Sequence, residues 1–380
     1  MNVNEKKQVL LAAGDGAPGR ILYNLGKFFL QPNNIKFNWL PQPDSVLESI
    51  LCNANESFLP CNSQNIETAV AVSSLVVTGS SSRFCESEND ATNEAFANKI
   101  PVIRIMDYPM SGNACLDAVI ACWCHYGQPP FTISALNESH KKAILNHYHK
   151  MDEQHIKVIG SPLHYDLEKL MLEDPRILRQ NLLARQGLQD EFTVGLFVSG
   201  NNPVELHEFL EQASEIIFHL KSTKNNVAVL LNFHDELRDL NRSIYKYLWL
   251  QKGLIINENF SHDEIIASSD MVITSPFSTT GLRTLSMGKP LLYIITPAMI
   301  NSLATIHDNE FPFLPELINQ SACFYTSKDC ISDKIKSLLS MEERYIRLRR
   351  AVEDDILYPC GAMEKLFTMV KQGFFVETMC

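Results

Sequence analysis

The sequence predicts an α/β fold of two Rossmann-like domains facing a central cleft. Three observations carry this expectation. Short apolar runs recur along the chain, longer segments with helical spacing lie between them, and the alternation restarts from the beginning near residue 190. Strand–helix–strand order of this kind builds a parallel sheet covered by helices.

The strand candidates are Val9–Ala13, Leu75–Thr78, Val102–Ile105, Lys157–Ile159, Thr193–Val198, Val227–Leu231, Leu254–Ile256, Met271–Thr274 and Leu291–Ile294. Most are apolar at successive positions, as in strands buried on both faces. A helix over Gly19–Leu30 follows the first strand. Asn89–Asn98 places Ala91, Ala95 and Phe96 on one side, and Pro203–Lys221 does the same with Leu206, Phe209, Leu210, Ile216 and Ile217. The charged helical stretch Tyr165–Arg185 ends in Gly187-Leu-Gln-Asp-Glu, after which a fresh strand begins. The expected division is therefore residues 1–187, residues 188–345, and C-terminal helices over 346–380. These last are interrupted at Tyr358-Pro359-Cys360-Gly361 and resume over Ala362–Gln372, able to pack back on the first domain.

Composition narrows the function classes. The 380 residues are 45% hydrophobic and 20% charged, enough for two cores. A net charge of −11 argues against reading nucleic acid through a broad basic face. No apolar run approaches the ~18 residues of a membrane-spanning helix, and Val9–Ala13 is too short for a secretion signal. The ten cysteines are scattered, which reads as a reduced, cytoplasmic chain with buried thiols. The glycosylation sequons at Asn55 and Asn137 are then chance matches.

Four segments could carry chemistry. Gly14-Asp15-Gly16-Ala17-Pro18-Gly19 follows the first strand. It matches the Gly-x-Gly-x-x-Gly spacing of a dinucleotide loop, but no acid stands at the ribose-binding distance, so a crevice-lining loop is the better reading. Thr78-Gly79-Ser80-Ser81-Ser82-Arg83 ends a strand where open α/β sheets bind ligands, or caps the next helix. Asp107 follows the strand Val102–Ile105 and is placed for general-base work on a hydroxyl, or for holding its loop. Cys122-Trp123-Cys124-His125 lacks a second ligand pair for zinc and reads as a helix with inward cysteines. In the fourth segment, Ser275, Ser278, Thr279 and Thr280 surround the start of a helix after the strand Met271–Thr274. Backbone donors and dipole there suit a phosphate or diphosphate, while capping by Ser and Thr explains the same residues.

The run His262-Asp263-Glu264-Ile265, then Ser269-Asp270-Met271-Val272-Ile273-Thr274-Ser275, Ser278-Thr279-Thr280 and Gly288-Lys289-Pro290-Leu291 resembles the nucleotide-sugar site of GT-B glycosyltransferases. It is similar also to their relatives, the UDP-N-acetylglucosamine 2-epimerases. The motif-level resemblance covers 259–295; elsewhere it is architectural, with Val158-Ile-Gly160-Ser-Pro162 similar to the turn that ends the first domain. The resemblance implies a donor site formed by Ser199, Gly200, His234, Ser275, Ser278, Thr279 and Thr280. It implies first-domain contacts from Gly14, Asp15, Gly16, Gly19 and Ser80, with Asp107 as catalytic base. Two departures stand out. Where many members hold the donor ribose with Glu, five residues before Gly288, this chain has Arg283, which cannot accept hydroxyl protons but can pair with a phosphate. The epimerases' opening Gly-Thr-Arg-Pro-Glu run is absent.

The expected function is transfer of a sugar from a nucleotide donor, UDP-sugar foremost, to an unknown acceptor hydroxyl on a glycan, lipid or protein. No tightly bound cofactor and no metal is expected, in keeping with the absence of an Asp-x-Asp triplet. A nucleotide-sugar epimerase or hydrolase is the alternative, and a non-catalytic binding protein on the same scaffold, favoured by Arg283, is another. Nucleic acid is not an expected partner, and a homo-oligomer is compatible with the sequence. The arginines of Glu342–Arg350 read as a solvated helix face.

Overall fold

The computed structural model describes residues 8–374 apart from 15, 82–84, 108–113, 127–129, 150, 186, 189–190, 199–202, 225, 234–254, 257–259, 277, 307–319 and 354–359. The chain divides into two compact units, Met1–Tyr165 with Tyr358–Cys380, and Asp166–Leu357.

The first unit is built on six parallel strands: β1 (Gln8–Ala13), β2 (Lys36–Pro41), β3 (Leu75–Thr78), β4 (Val102–Ile105), β5 (Phe131–Ala135) and β6 (Ile156–Val158), in the order β2-β1-β3-β4-β5-β6. Successive side chains of a strand point to opposite faces, and β1 uses both. Val9, Leu11 and Ala13 join one core with Ile21, Leu22 and Leu25, whereas Leu10 and Ala12 join another with Phe96, Trp123 and Phe131. The helix Ala362–Gly373 adds Met363, Leu366, Phe367, Met369 and Val370 to the first of these cores. Burial of such side chains is worth on the order of 1.5–3 kcal/mol each.

The second unit carries β7 (Phe192–Val198), β8 (Val227–Phe233), β9 (Ile255–Ile256), β10 (Met271–Thr274), β11 (Leu291–Ile294) and β12 (Cys323–Tyr325), all parallel, in the order β12-β11-β10-β7-β8-β9. Val194, Leu196 and Val198 pack against Leu206, Phe209, Ala213 and Ile216 of the helix Pro203–Thr223.

Some boundaries differ from the sequence expectation. The units divide at 165/166 rather than near 187, because the helix Pro175–Arg185 belongs to the second unit. Its Arg185 Nη1 donates to Glu264 Oε1 at 2.7 Å and its Arg179 Nη2 donates to Asp270 Oδ2 at 2.8 Å. The helix expected over Gly19–Leu30 is an α-helix over Gly16–Asn24 followed by a π-helical turn over Leu25–Leu30. The cysteines are not a buried set: among those described only Cys323 is buried, and Cys52, Cys124, Cys330 and Cys360 are exposed. Cys122 donates to Asn93 Oδ1 at 2.6 Å.

Candidate functional site

In each sheet the strand order reverses once, between β1 and β3 in the first unit and between β7 and β10 in the second. Where the order reverses, the following helices leave on opposite faces and open a crevice at the carboxyl ends of the strands. Counted from β7, the second sheet has the order 3-2-1-4-5-6, that of dinucleotide-binding sheets. The loops singled out in the sequence lie at these two places.

In the first unit, the β1 turn and the β3 turn are tied together by a buried carboxylate, Glu88, from the first turn of the helix Glu86–Ala97. Its Oε1 accepts from the Gly14 amide at 3.2 Å and the Ser81 hydroxyl at 2.5 Å, and its Oε2 accepts from the Ser81 amide at 3.0 Å. Arg104 of β4 lies 3.3 Å from Oε2, both side chains fully buried, and also donates to Thr78 Oγ1 at 3.3 Å. Burial pushes the Glu88 carboxyl up to about 7, against the downward pull of Arg104, Ser81 and Gly14. The Gly14 amide, which a phosphate at this turn would call on, is thus already donated to a protein carboxylate. Gly79 is required for close approach, since a Cβ there would lie 2.3 Å from Pro18 Cβ and 2.6 Å from Glu88 Oε1. Gly19 serves helix packing, its Cβ position 3.1 Å from Leu47 Cβ, and Gly16 opens the first helix. Asp107 is half-buried just past β4, and its Oδ1 accepts from the Ser80 hydroxyl at 2.8 Å.

In the second unit, Ser275 follows β10 and Ser278 caps the helix Thr279–Ser286, accepting from the Thr280 amide at 3.2 Å. Ser275 and Thr280 are buried, and Ser278 and Thr279 are partly exposed. Thr274 Oγ1 is buried with no hydrogen-bond partner among the described residues. Arg283, one turn further along, is buried and ion-paired with Asp263 of the neighbouring helix His262–Ser268. Its guanidinium is therefore committed within the protein. Lys289 of the Gly-Lys-Pro run donates to the carbonyls of Ala267 at 2.8 Å and Ser269 at 2.9 Å, closing the carboxyl end of that same helix. Burial lowers its ammonium to about 8. His262 sits at the carboxyl ends of two strands, its Nε2 3.0 Å from Asn232 Oδ1 of β8 and its ring edge-on to Phe197 of β7.

Asp15, Ser199, Gly200 and His234 lie outside the described residues. Of the other expected site residues, the structure gathers Gly14, Ser80 and Asp107 at the first reversal, and Ser275, Ser278, Thr279 and Thr280 at the second. Glu88, His262 and Asp263 were not among the expected residues. One signal was available for Glu88: an arginine inside a strand as apolar as Val102-Ile103-Arg104-Ile105 demands a buried counter-charge nearby.

No protein-family model and no curated protein sequence matches the chain. Solved structures match it along almost its whole length, and they define the class: the fold is GT-B, two Rossmann-like domains in one chain. The Staphylococcus aureus MnaA–UDP co-structure gives a TM-score of 0.66 at 13% identity over 96% of each chain. The UDP-GlcNAc 2-epimerase of Neisseria meningitidis, bound to UDP-GlcNAc, gives 0.62 at 16% identity over 96% of this chain and 99% of that one. Acinetobacter baumannii MurG gives 0.59 at 10% identity with the same coverage. At these identities the likeness is one of fold.

Proposed function

We propose that the protein acts on a nucleotide sugar, UDP-linked, held at the β7/β10 reversal, and transfers the sugar to an acceptor hydroxyl. The observation that carries this is the turn over 275–280. A strand of a Rossmann-ordered sheet ends there in hydroxyl side chains, and a helix N-terminus capped by Ser278 begins. Free N–H groups and the positive end of a helix favour a diphosphate, and in transfer they offset the charge that grows on the leaving diphosphate. Structural neighbours that carry UDP or UDP-GlcNAc support the choice of nucleotide. In the first unit Asp107, held by Ser80, is the base that would take the acceptor proton. Arg283, tied to Asp263, supports the helix start from behind rather than touching phosphate.

A second reading, epimerisation of the nucleotide sugar without an acceptor, is favoured by the 2-epimerases among the neighbours. Melting curves against UDP-, GDP-, TDP- and CMP-sugars test the site. A ligand at ~100 times its Kd raises stability by roughly 2.7 kcal/mol, and Ser278→Ala/Thr279→Ala should remove the shift. The absence of any shift refutes both enzymatic readings. Incubation of the stabilising sugar nucleotide alone then separates them: a new epimer means epimerase, an unchanged sugar until an acceptor is added means transferase.

A further inference from the structure

The helix Met341–Glu353 of the second unit carries Met341, Tyr345, Leu348 and Val352 at intervals of four, three and four residues. At 100° per residue these stack along one face. All are exposed, by 75%, 68%, 43% and 61% respectively. The docked side lies elsewhere on the helix. Ala351 is buried, Arg347 donates to Ser337 Oγ at 2.7 Å, and Arg350 donates to Gln320 Oε1 at 3.0 Å. Arg344 and Arg349 fall on the two flanks of the apolar row, each about 70° from its centre by helical geometry. From 344 to 350 the sequence has four arginines and no acid, within a chain of net charge −11. Glu342 and Glu343 stand in the first turn, where the helix dipole favours them.

We propose that this helix is a peripheral membrane contact, laying Met341, Tyr345, Leu348 and Val352 into the headgroup boundary of an anionic lipid surface while Arg344 and Arg349 reach its phosphates. Single exposed apolar side chains are ordinary, but a contiguous row on one helix face marks an interaction surface. An apolar row edged by arginine is the pattern of helices that lie in the interface plane, and arginine stems can run along that boundary with their heads in the phosphate layer. A second copy of the chain fits the surface poorly. Antiparallel two-fold pairing of the helices about the middle of the row would bring the two copies' Arg344 together on one flank and their Arg349 together on the other, like charge beside like charge. A single face of a helix about 20 Å long also falls well short of the ~800 Å² per partner of a stable dimer.

The test uses the intact chain without nucleotide, so its outcome is independent of the proposed reaction. Sedimentation is measured with vesicles of phosphatidylcholine alone and with vesicles of equal parts phosphatidylcholine and phosphatidylglycerol. The protein should sediment with the anionic vesicles and not the neutral ones, less so at high salt. Arg344→Ala/Arg349→Ala should weaken partitioning roughly thirtyfold, about fivefold per arginine. Tyr345→Glu/Leu348→Glu should abolish it with the melting temperature unchanged, and a Tyr345→Trp variant should shift its emission to the blue on adding anionic vesicles. Failure to sediment with anionic vesicles overturns the proposal, as does sedimentation that Tyr345→Glu/Leu348→Glu leaves intact. A parent that is dimeric in solution and becomes monomeric in that variant also overturns it, and assigns the row to a second copy.

Discussion

Gly281→Ala sets a helix-propensity gain against a steric loss at the candidate nucleotide site. Gly281 lies in the helix Thr279–Ser286, where alanine would ordinarily gain about 1 kcal/mol. Its Cβ position, however, is 2.0 Å from Tyr293 Oη, 2.6 Å from Cζ and 2.8 Å from Cε1. Tyr293 is fully buried on β11 and has no solvent to move into. Overpacking of a core costs typically 1–3 kcal/mol, and a hydroxyl and two ring carbons inside contact distance place this case at about 3. The net expectation is about 2 kcal/mol of destabilisation, or roughly 4–8 °C in the transition of a unit this size. Relief requires the helix to lift by an ångström or more, and misplacement on that scale can cost ~100-fold in rate where the helix start positions a reacting group. Calorimetry and nucleotide titration read the two effects. The double variant Gly281→Ala/Tyr293→Leu should recover part of both losses, giving a favourable coupling beyond ~0.5 kcal/mol. A Gly281→Ala protein that melts with the parent, or a double variant no better than the sum of the singles, refutes the argument.

Three further outcomes follow from the geometry. Glu88 has a folded pKa raised to about 7, so the native state holds a proton that the unfolded chain has lost. The first unit should therefore lose up to about 3 kcal/mol as pH rises from about 4.5 through 7, which melting of the parent against Glu88→Gln across that range would show. Lys289 has its folded pKa lowered to about 8, so the second unit should gain stability as pH rises from about 8 towards 10.5, and Lys289→Met should flatten that rise. Removing Arg283 alone should cost 3–5 kcal/mol by taking the cation from buried Asp263. Asp263→Leu/Arg283→Met should restore most of that stability by denaturant titration, yet leave nucleotide binding weakened.

The parallel core strands were legible because their burial on two faces leaves an apolar run. β3, β4, β10 and β11 match their expected limits residue for residue. The strands that escaped notice are those whose polar residues do structural work or whose length defeats a pattern. β2 is an edge strand with exposed Lys36 and partly exposed Asn38, which reads as loop. β5 carries Thr132 and Ser134, and the Ser134 hydroxyl that looks like loop chemistry accepts from the Met106 amide at 3.0 Å beside β4. β12 is three residues long. At the site, hydroxyls and glycines near strand ends could be read from the sequence because their spacing is local. The Glu88–Arg104 pair left only the hint of an arginine inside an apolar strand, and the Asp263–Arg283 pair left none, because a local pattern does not show which faces of two neighbouring elements pack together.

Each of those two buried pairs has one member on the helix that follows the strand at its sheet's reversal, Glu88 after β3 and Arg283 after β10. Buried ion pairs seldom return the cost of taking both charges from water, and replacing them by apolar side chains is often neutral or better. The Glu88 pKa, raised to about 7, agrees with that cost, since burial outweighs Arg104 and three hydrogen bonds together. Stability therefore does not account for either pair. What each does is fix a backbone. Glu88 sets the Gly14 and Ser81 amides against one carboxylate and so holds two turns in register. Arg283 ties the helix that Ser278 caps to the helix that Lys289 closes. A charge at Arg283, where the resemblance leads one to expect a ribose-binding acid, is held inside the protein by Asp263 on the adjoining helix. Ser275, Ser278, Thr279 and Thr280 stand at the start of the helix that this pair anchors.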